Sequence, residues 1–218
     1  TAAAASLSGL PFMQGIFDLP LPRFHHVAPT PHYYEYAEPG ESERDFAMRC
    51  AKALEDKILE LGPENVAAFA GEPVMGAGGL MLPPEGYWAE VERICRKYDI
   101  LLWSDEVICG FGRTGEWFGC QKYGFTPDIM TMAKGITSGY IPLSAVALSN
   151  TMAEPIINAD TEMAHGFTYS GHPVAAAVAL RNIELLDELD LVGEHGARTA
   201  RYFQAKLKTL DDHPLVGE

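Results

Sequence analysis

Apolar positions along the chain follow two alternating rhythms: stripes at spacings of three and four, and short continuous runs. The first clear stripe is Ala51, Leu54, Ile58 and Leu61, the spacing of one face of an α-helix. Ser42 with Asp45 three residues on resembles a capping box at its start, and Gly62-Pro63 ends it. A second stripe, Tyr87, Val91, Ile94, Cys95 and Tyr98, predicts another helix, with Pro84 suited to its first turn. The continuous runs predict buried strands: VAAFAGEP at 66–73, ILLW at 100–103, IMTMA at 129–133 and LSAVALS at 143–149. RFHHVAP at 23–29 reads as a further short strand. Residues 1–22 lack a clear period, 31–41 are a polar Tyr- and Pro-rich connection, and GAGG at 76–79 is a loop.

Buried strands alternating with amphipathic helices mean parallel βαβ units, with helices covering the sheet. The expected class is therefore α/β. The tail changes character. An Ala-rich helix is expected from residue 172 to about 189 and a second from 192 to about 210, with a bend at Asp190. This places part of a large α/β domain at 1–189 and the start of a smaller domain at 190–218.

Composition narrows the partners. The 218 residues carry 30 acidic against 16 basic side chains, a formal charge of -14. Nucleic acid or an anionic membrane surface would need a basic face, so neither is expected. No apolar run approaches the length of about 18 residues that a transmembrane helix needs. No signal peptide is visible. Cys50, Cys95, Cys109 and Cys120 form no CxxC pair and no disulfide spacing, which suits a reduced, cytoplasmic setting. The chain starts at Thr1 and stops at Glu218 just as a new segment begins, so both ends read as cut.

In open parallel sheets, ligands sit beyond the carboxyl ends of the strands. Glu72 follows the first strand, Asp105 and Glu106 the second, and Lys134 the third. Neighbouring parallel strands would bring carboxylate, carboxylate and amine into one crevice. A lysine among Met, Ala and Gly is expected to be partly desolvated, and desolvation makes an amine a better nucleophile near neutral pH. A carboxylate on a neighbouring strand end is what a pyridine cofactor needs to keep its ring nitrogen protonated. Other chemistries fit less well. LLWSDE is similar to the metal-coordinating strand of ATPases, but no GxxxxGK[ST] loop accompanies it, and no metal site is expected. Gly110, Gly112 and Gly115 match GxGxxG, yet GEWFGCQKYGF follows with glycines and aromatics at non-helical spacing, not the helix a dinucleotide site requires.

The runs SDEVICGFGRTGEWF at 104–118, PDIMTMAKG at 127–135 and FTYSGHP at 167–173, with GEPVMGAGG upstream at 71–79, resemble the class III family of pyridoxal-phosphate aminotransferases. WFG after the GRTG loop and SGYIPLSAV point within it to ω-amino acid or amine:pyruvate transaminases. The resemblance implies the large domain of the fold type I transferases, three-layered around a mostly parallel sheet. It implies pyridoxal 5'-phosphate as cofactor and Lys134 as its Schiff-base lysine. Asp105 would be the partner of the pyridine nitrogen, and Val107 the apolar residue against one ring face. Thr168 would bind the cofactor phosphate of a neighbouring subunit in a homodimer or higher homo-oligomer. Glu72 would pair with a mobile arginine near the substrate carboxylate. Glu106 would be structural, below the site, and the Gly110–Gly115 stretch a loop near the dimer contact. The family's Gly-Ser phosphate loop and its ring-stacking aromatic would precede Thr1, so the chain reads as about half of an enzyme. The implied reaction passes an amino group from an amine or amino acid donor to a keto acid acceptor such as pyruvate. An aminomutase or racemase on the same scaffold, and a non-catalytic truncated chain, remain open at this point.

Overall fold

The computed structural model describes residues 1–216 and resolves into two compact units. The first is formed by Thr1–Ala70 with Val74–Ile100. It contains helices α1 (Ala2–Leu7), α2 (Tyr33–Tyr36) and α3 (Glu43–Leu61), all but the last residue of strand β1 (Ala68–Gly71), and helix α4 (Tyr87–Lys97). Helix α3 starts where the sequence indicates: Ser42 Oγ accepts from the Asp45 amide at 3.1 Å. It stops at Gly62, whose φ of +82° lies in the region that favours glycine. Its stripe is buried at Ala51, Leu54 and Ile58 and is extended by Phe46, Ala47 and Cys50. Helix α4 answers with Tyr87, Trp88, Val91, Ile94 and Cys95, all buried. At the rim of this pair, Glu55 on α3 accepts from Lys97 (2.7 Å) and Tyr98 (2.9 Å).

One expectation for this unit fails. Residues 23–29 are not a strand: they lie in turns and extended backbone, largely at the surface, and Pro29 has no amide to offer a ladder. Conversely, the stretch without a period holds the short helix α1, capped by Thr1, whose Oγ1 accepts from the Ala4 amide at 3.4 Å.

The second unit is formed by Gly71–Pro73 with Leu101–Glu218. It contains strands β2 (Leu101–Asp105), β3 (Ile129–Met132) and β4 (Ala145–Leu148). Its helices are α5 (Gly119–Tyr123), α6 (Asn150–Ile157), α7 (Pro173–Glu188) and α8 (Glu194–Leu207). Strands β2 and β3 are parallel, pairing Trp103 with Ile129, Ser104 with Met130 and Asp105 with Thr131. Strand β4 returns antiparallel, pairing Thr131 with Val146 and Met132 with Ala145. The sheet is thus mixed. A parallel return needs a crossover, usually a helix, and residues 133–144 provide only a 3₁₀ turn, Lys134–Ile136, and irregular backbone.

Helix α5 falls where glycines and aromatics argue against one. It forms because its amides find partners: Gln121 Oε1 takes the Phe118 amide at 3.0 Å, and Glu106 takes those of Gly119 and Cys120. Helix α7 starts at Pro173 behind the cap His172, whose ring Nδ1 accepts from the Ala175 amide at 3.4 Å. The bend before α8 is at Asp190, with φ +50° and its carboxylate accepting the His195 amide at 2.9 Å. No helix among the described residues is long and apolar enough to cross a membrane.

Candidate active site

The register of β2 on β3 builds the centre of the site. Asp105, the last residue of β2, lies beside Thr131, and the chain runs from Thr131 through Met132 and Ala133 to Lys134. The Glu106 amide donates to the Thr131 carbonyl at 2.9 Å and carries the pairing one residue past the strand. The carboxyl ends of two parallel strands therefore carry Asp105 and, three residues past its partner Thr131, Lys134.

Asp105 is half-buried, and its Oδ1 accepts from the Val107 amide at 3.0 Å. That contact fixes the plane of the carboxylate and leaves Oδ2 without a hydrogen-bond partner among the described residues. Val107, also half-buried, follows directly in the turn that leaves β2.

Beneath this turn sits Glu106, at 0 % exposure. A buried carboxylate is tolerated only when its oxygens are hydrogen-bonded. Here Oε1 accepts from Ser104 Oγ (3.1 Å) and the Cys120 amide (2.7 Å), and Oε2 from the Gly119 amide (2.8 Å). Glu106 is thus a staple between the end of β2 and the first turn of α5, the structural role expected for it. Burial, with the Glu106 charge adding, pushes the neighbouring Cys120 thiol up to about 12. Close packing continues to the Glu72 segment: a Cβ on Gly119 would sit 2.6 Å from the ring of Pro73. Pro73 is buried, and Glu72 before it is half-buried.

Lys134 is exposed, not partly desolvated as expected. The reason is local. The chain leaves β3 at Ala133 and Lys134 takes φ +43°, a left-handed conformation uncommon for a non-glycine residue, so the strand's apolar surroundings end before it. Such strain persists where neighbours over-determine the backbone and concentrates at functional sites. The neighbours are visible. A Cβ on Gly135 would meet Phe111 Cβ at 2.9 Å and the Gly110 carbonyl at 3.3 Å, so the Gly110–Gly115 loop backs the lysine turn directly. The Phe111 ring is held edge-on to Phe118, centroids 5.5 Å apart. On α7, Asn182 Nδ2 donates to the carbonyls of Gly135 (2.9 Å) and Ile136 (3.2 Å). Ser138 Oγ donates to Asn182 Oδ1 at 2.7 Å. None of Phe111, Gly135, Ser138 and Asn182 is singled out by sequence. The one available signal is Asn182 itself, a poor helix former inside an otherwise Ala- and Leu-rich helix. Thr168 lies exposed in the turn before α7.

The chain matches known proteins along its length. A family profile described as aminotransferase class-III covers residues 5–218. A putrescine–pyruvate aminotransferase from Pseudomonas aeruginosa is 52% identical over 219 residues, all of this chain and 47% of the relative. A chloroplastic gamma aminobutyrate transaminase 3 from Solanum lycopersicum is 47% identical over 221 residues, covering 42% of its length. Among solved structures, an omega transaminase from Pseudomonas jessenii in complex with PMP is 52% identical with a TM-score of 0.96, over 100% of this chain and 48% of that one. The chain thus spans about half the length of the curated relatives it matches. With fold and family profile in agreement, the chain belongs to the class-III aminotransferases.

Proposed function

We propose that the chain supplies the lysine-bearing part of a pyridoxal 5'-phosphate-dependent transaminase site. The reaction moves an amino group from an amine or ω-amino acid to a keto acid such as pyruvate, by a ping-pong cycle. The observation that carries this reading is the β2–β3 register, with Asp105 paired to Thr131 three residues before Lys134. The named activities of the relatives support the choice of donor and acceptor.

The residues present fit the cofactor. A pyridine aldehyde asks for an amine, for a carboxylate toward its ring nitrogen and for an apolar surface against the ring, and Lys134, Asp105 and Val107 are those groups. When bound, pyridoxal phosphate supplies an electron sink for the bonds of the substrate carbon. Asp105, oriented through Oδ1, would hold a proton on the ring nitrogen. Lys134 Nζ would hold the cofactor and, when free, would serve as the general base and acid that moves the proton of the substrate carbon. Val107 packs against one ring face. Glu72 stands on the substrate side. The exposed hydroxyl of Thr168 would bind the phosphate held by a second subunit, in a working form that would then be a homodimer or higher homo-oligomer. Asp190, where the chain bends, opens the smaller domain. The four cysteines are buried and none forms a disulfide among the described residues, which supports the reading of a reduced, cytoplasmic location.

Lys134→Ala is expected to abolish both the yellow absorbance of the lysine-linked cofactor and amine-to-pyruvate turnover. Survival of that absorbance in the variant sinks the assignment.

A further inference from the structure

We propose that Asn182, on α7, is a positioning residue for Lys134, holding the strained turn from which the lysine projects. The inference rests on the reading of Lys134 as the cofactor-binding amine.

Asn182 is 9% exposed, and it interrupts the buried small-residue face that Ala175 and Ala179 give to α7. Asparagine is a poor helix former, and a buried amide is costly unless all its hydrogen-bonding groups are used. Its presence there is explained by what it holds. The two Nδ2 bonds go to consecutive backbone carbonyls, Gly135 and Ile136, and the Oδ1 bond comes from the Ser138 hydroxyl. Two carbonyl acceptors can be served only by the NH₂ end, so the orientation of the amide is settled by its partners.

The segment so gripped is short and doubly strained. Lys134 at its start has φ +43° and Ser138 at its end φ +49°. Between them, the amides of Ile136, Thr137 and Ser138 close tight turns onto Ala133, Lys134 and Gly135. A lysine held in the left-handed region relaxes unless neighbours on both sides prevent it. Phe111 blocks movement on one side of Gly135, and Asn182 grips the turn from α7. Side chain, turn and helix form one path: the position of α7 sets the direction in which Lys134 leaves the backbone.

The test compares Asn182→Leu, close in size and better for a helix, with Ala179→Gly, which weakens α7 through helix propensity and leaves the Asn182 bonds to the turn in place. Pyridoxal phosphate is added to each apoprotein and the appearance of the lysine-linked absorbance is timed and then titrated with pH. Asn182→Leu should slow formation about tenfold or more, since a misplacement of about 1 Å in a reacting group can cost on the order of a hundredfold. The midpoint of the pH titration should shift as well. In the apoproteins, amide hydrogen exchange at Ile136, Thr137 and Ser138 should accelerate in Asn182→Leu alone. Ala179→Gly should lower Tm while leaving rate, titration and exchange as in the parent. If Asn182→Leu and Ala179→Gly behave alike in rate, titration and exchange, Asn182 is a packing residue and the proposal is overturned. If Asn182→Leu does not fold, Ser138→Ala, an exposed change that removes one bond of the network, decides: unchanged exchange at Ile136 and Thr137 overturns it. Failure of the Lys134 reading looks different, because Lys134→Ala then keeps the absorbance whatever the exchange data show.

Discussion

The α3–α4 pair and the strand-end region of β2 and β3 solve different problems with different chemistry. The helix pair is held by volume. Phe46, Leu54 and Ile58 meet Trp88, Val91 and Ile94, all nearly inaccessible to water, and any side chains of similar size and apolarity would serve. The strand-end region is held by direction. Ser104, Glu106, Thr137 and Asn182 are buried there; Glu106, Thr137 and Asn182 hydrogen-bond the backbone of turns, and Ser104 holds Glu106. Apolar packing is tolerant of angle; a buried hydrogen-bonded network is not. A site that must aim an amine and a carboxylate at one ligand is better served by the second kind.

The largest expected loss comes from cutting the network at its most buried member. Glu106→Ala removes the acceptor of three buried donors, each costing about 1–3 kcal/mol when left unmade, so a loss of roughly 3 kcal/mol or more is expected by denaturant unfolding. The variant should also bind pyridoxal phosphate poorly, because the turn carrying Asp105 and Val107 loses its support. Retained cofactor affinity at that loss of stability would show that the network braces the fold and not the site. Leu54→Ala, at 3% exposure on α3, sharpens the contrast from the other side. It should cost about 2–5 kcal/mol and leave the lysine-linked absorbance of the folded fraction unchanged.

These two regions were unequally legible in the sequence. The helix pair announces itself, because its stripe of apolar residues is periodic and its cap at Ser42 is local. The positions at the strand ends were legible: Asp105 closes β2, and Lys134 follows two residues after β3. What could not be read is what holds them. The bonds from Asn182 to Gly135 and Ile136 span 47 and 46 residues, and no spacing rule reaches that far. The antiparallel return of β4 and the helix α5 were hidden for a related reason. Each depends on a partner distant in sequence, Met132 with Ala145 in one case and Glu106 with Gly119 in the other. The exposure of Lys134 follows from one backbone angle that the residue type alone argues against.

The smallest expected effect concerns the thiols. Burial pushes Cys50 up to about 11 and Cys120 up to about 12, so both stay protonated well into alkaline solution. Folded pKa values raised above the ordinary thiol value mean that this contribution to stability is complete below about pH 9 and fades as pH rises toward 12. Native protein should therefore alkylate slowly at both cysteines at pH 8, and faster only as unfolding or high pH releases them. Rapid labelling of Cys120 at pH 8 in folded protein would show that the packing around Glu106 opens readily.

The most direct measurement is chemical. The protein is incubated with pyridoxal phosphate, the bond between cofactor and lysine is fixed by borohydride reduction, and the labelled peptide is identified by mass spectrometry. The label should fall on Lys134, in the peptide that joins β3 to the 3₁₀ turn, and on no other lysine at stoichiometric level. A stoichiometric label on Lys122, Lys97 or any other lysine, with Lys134 unmodified, would contradict the assignment on which the whole site is built.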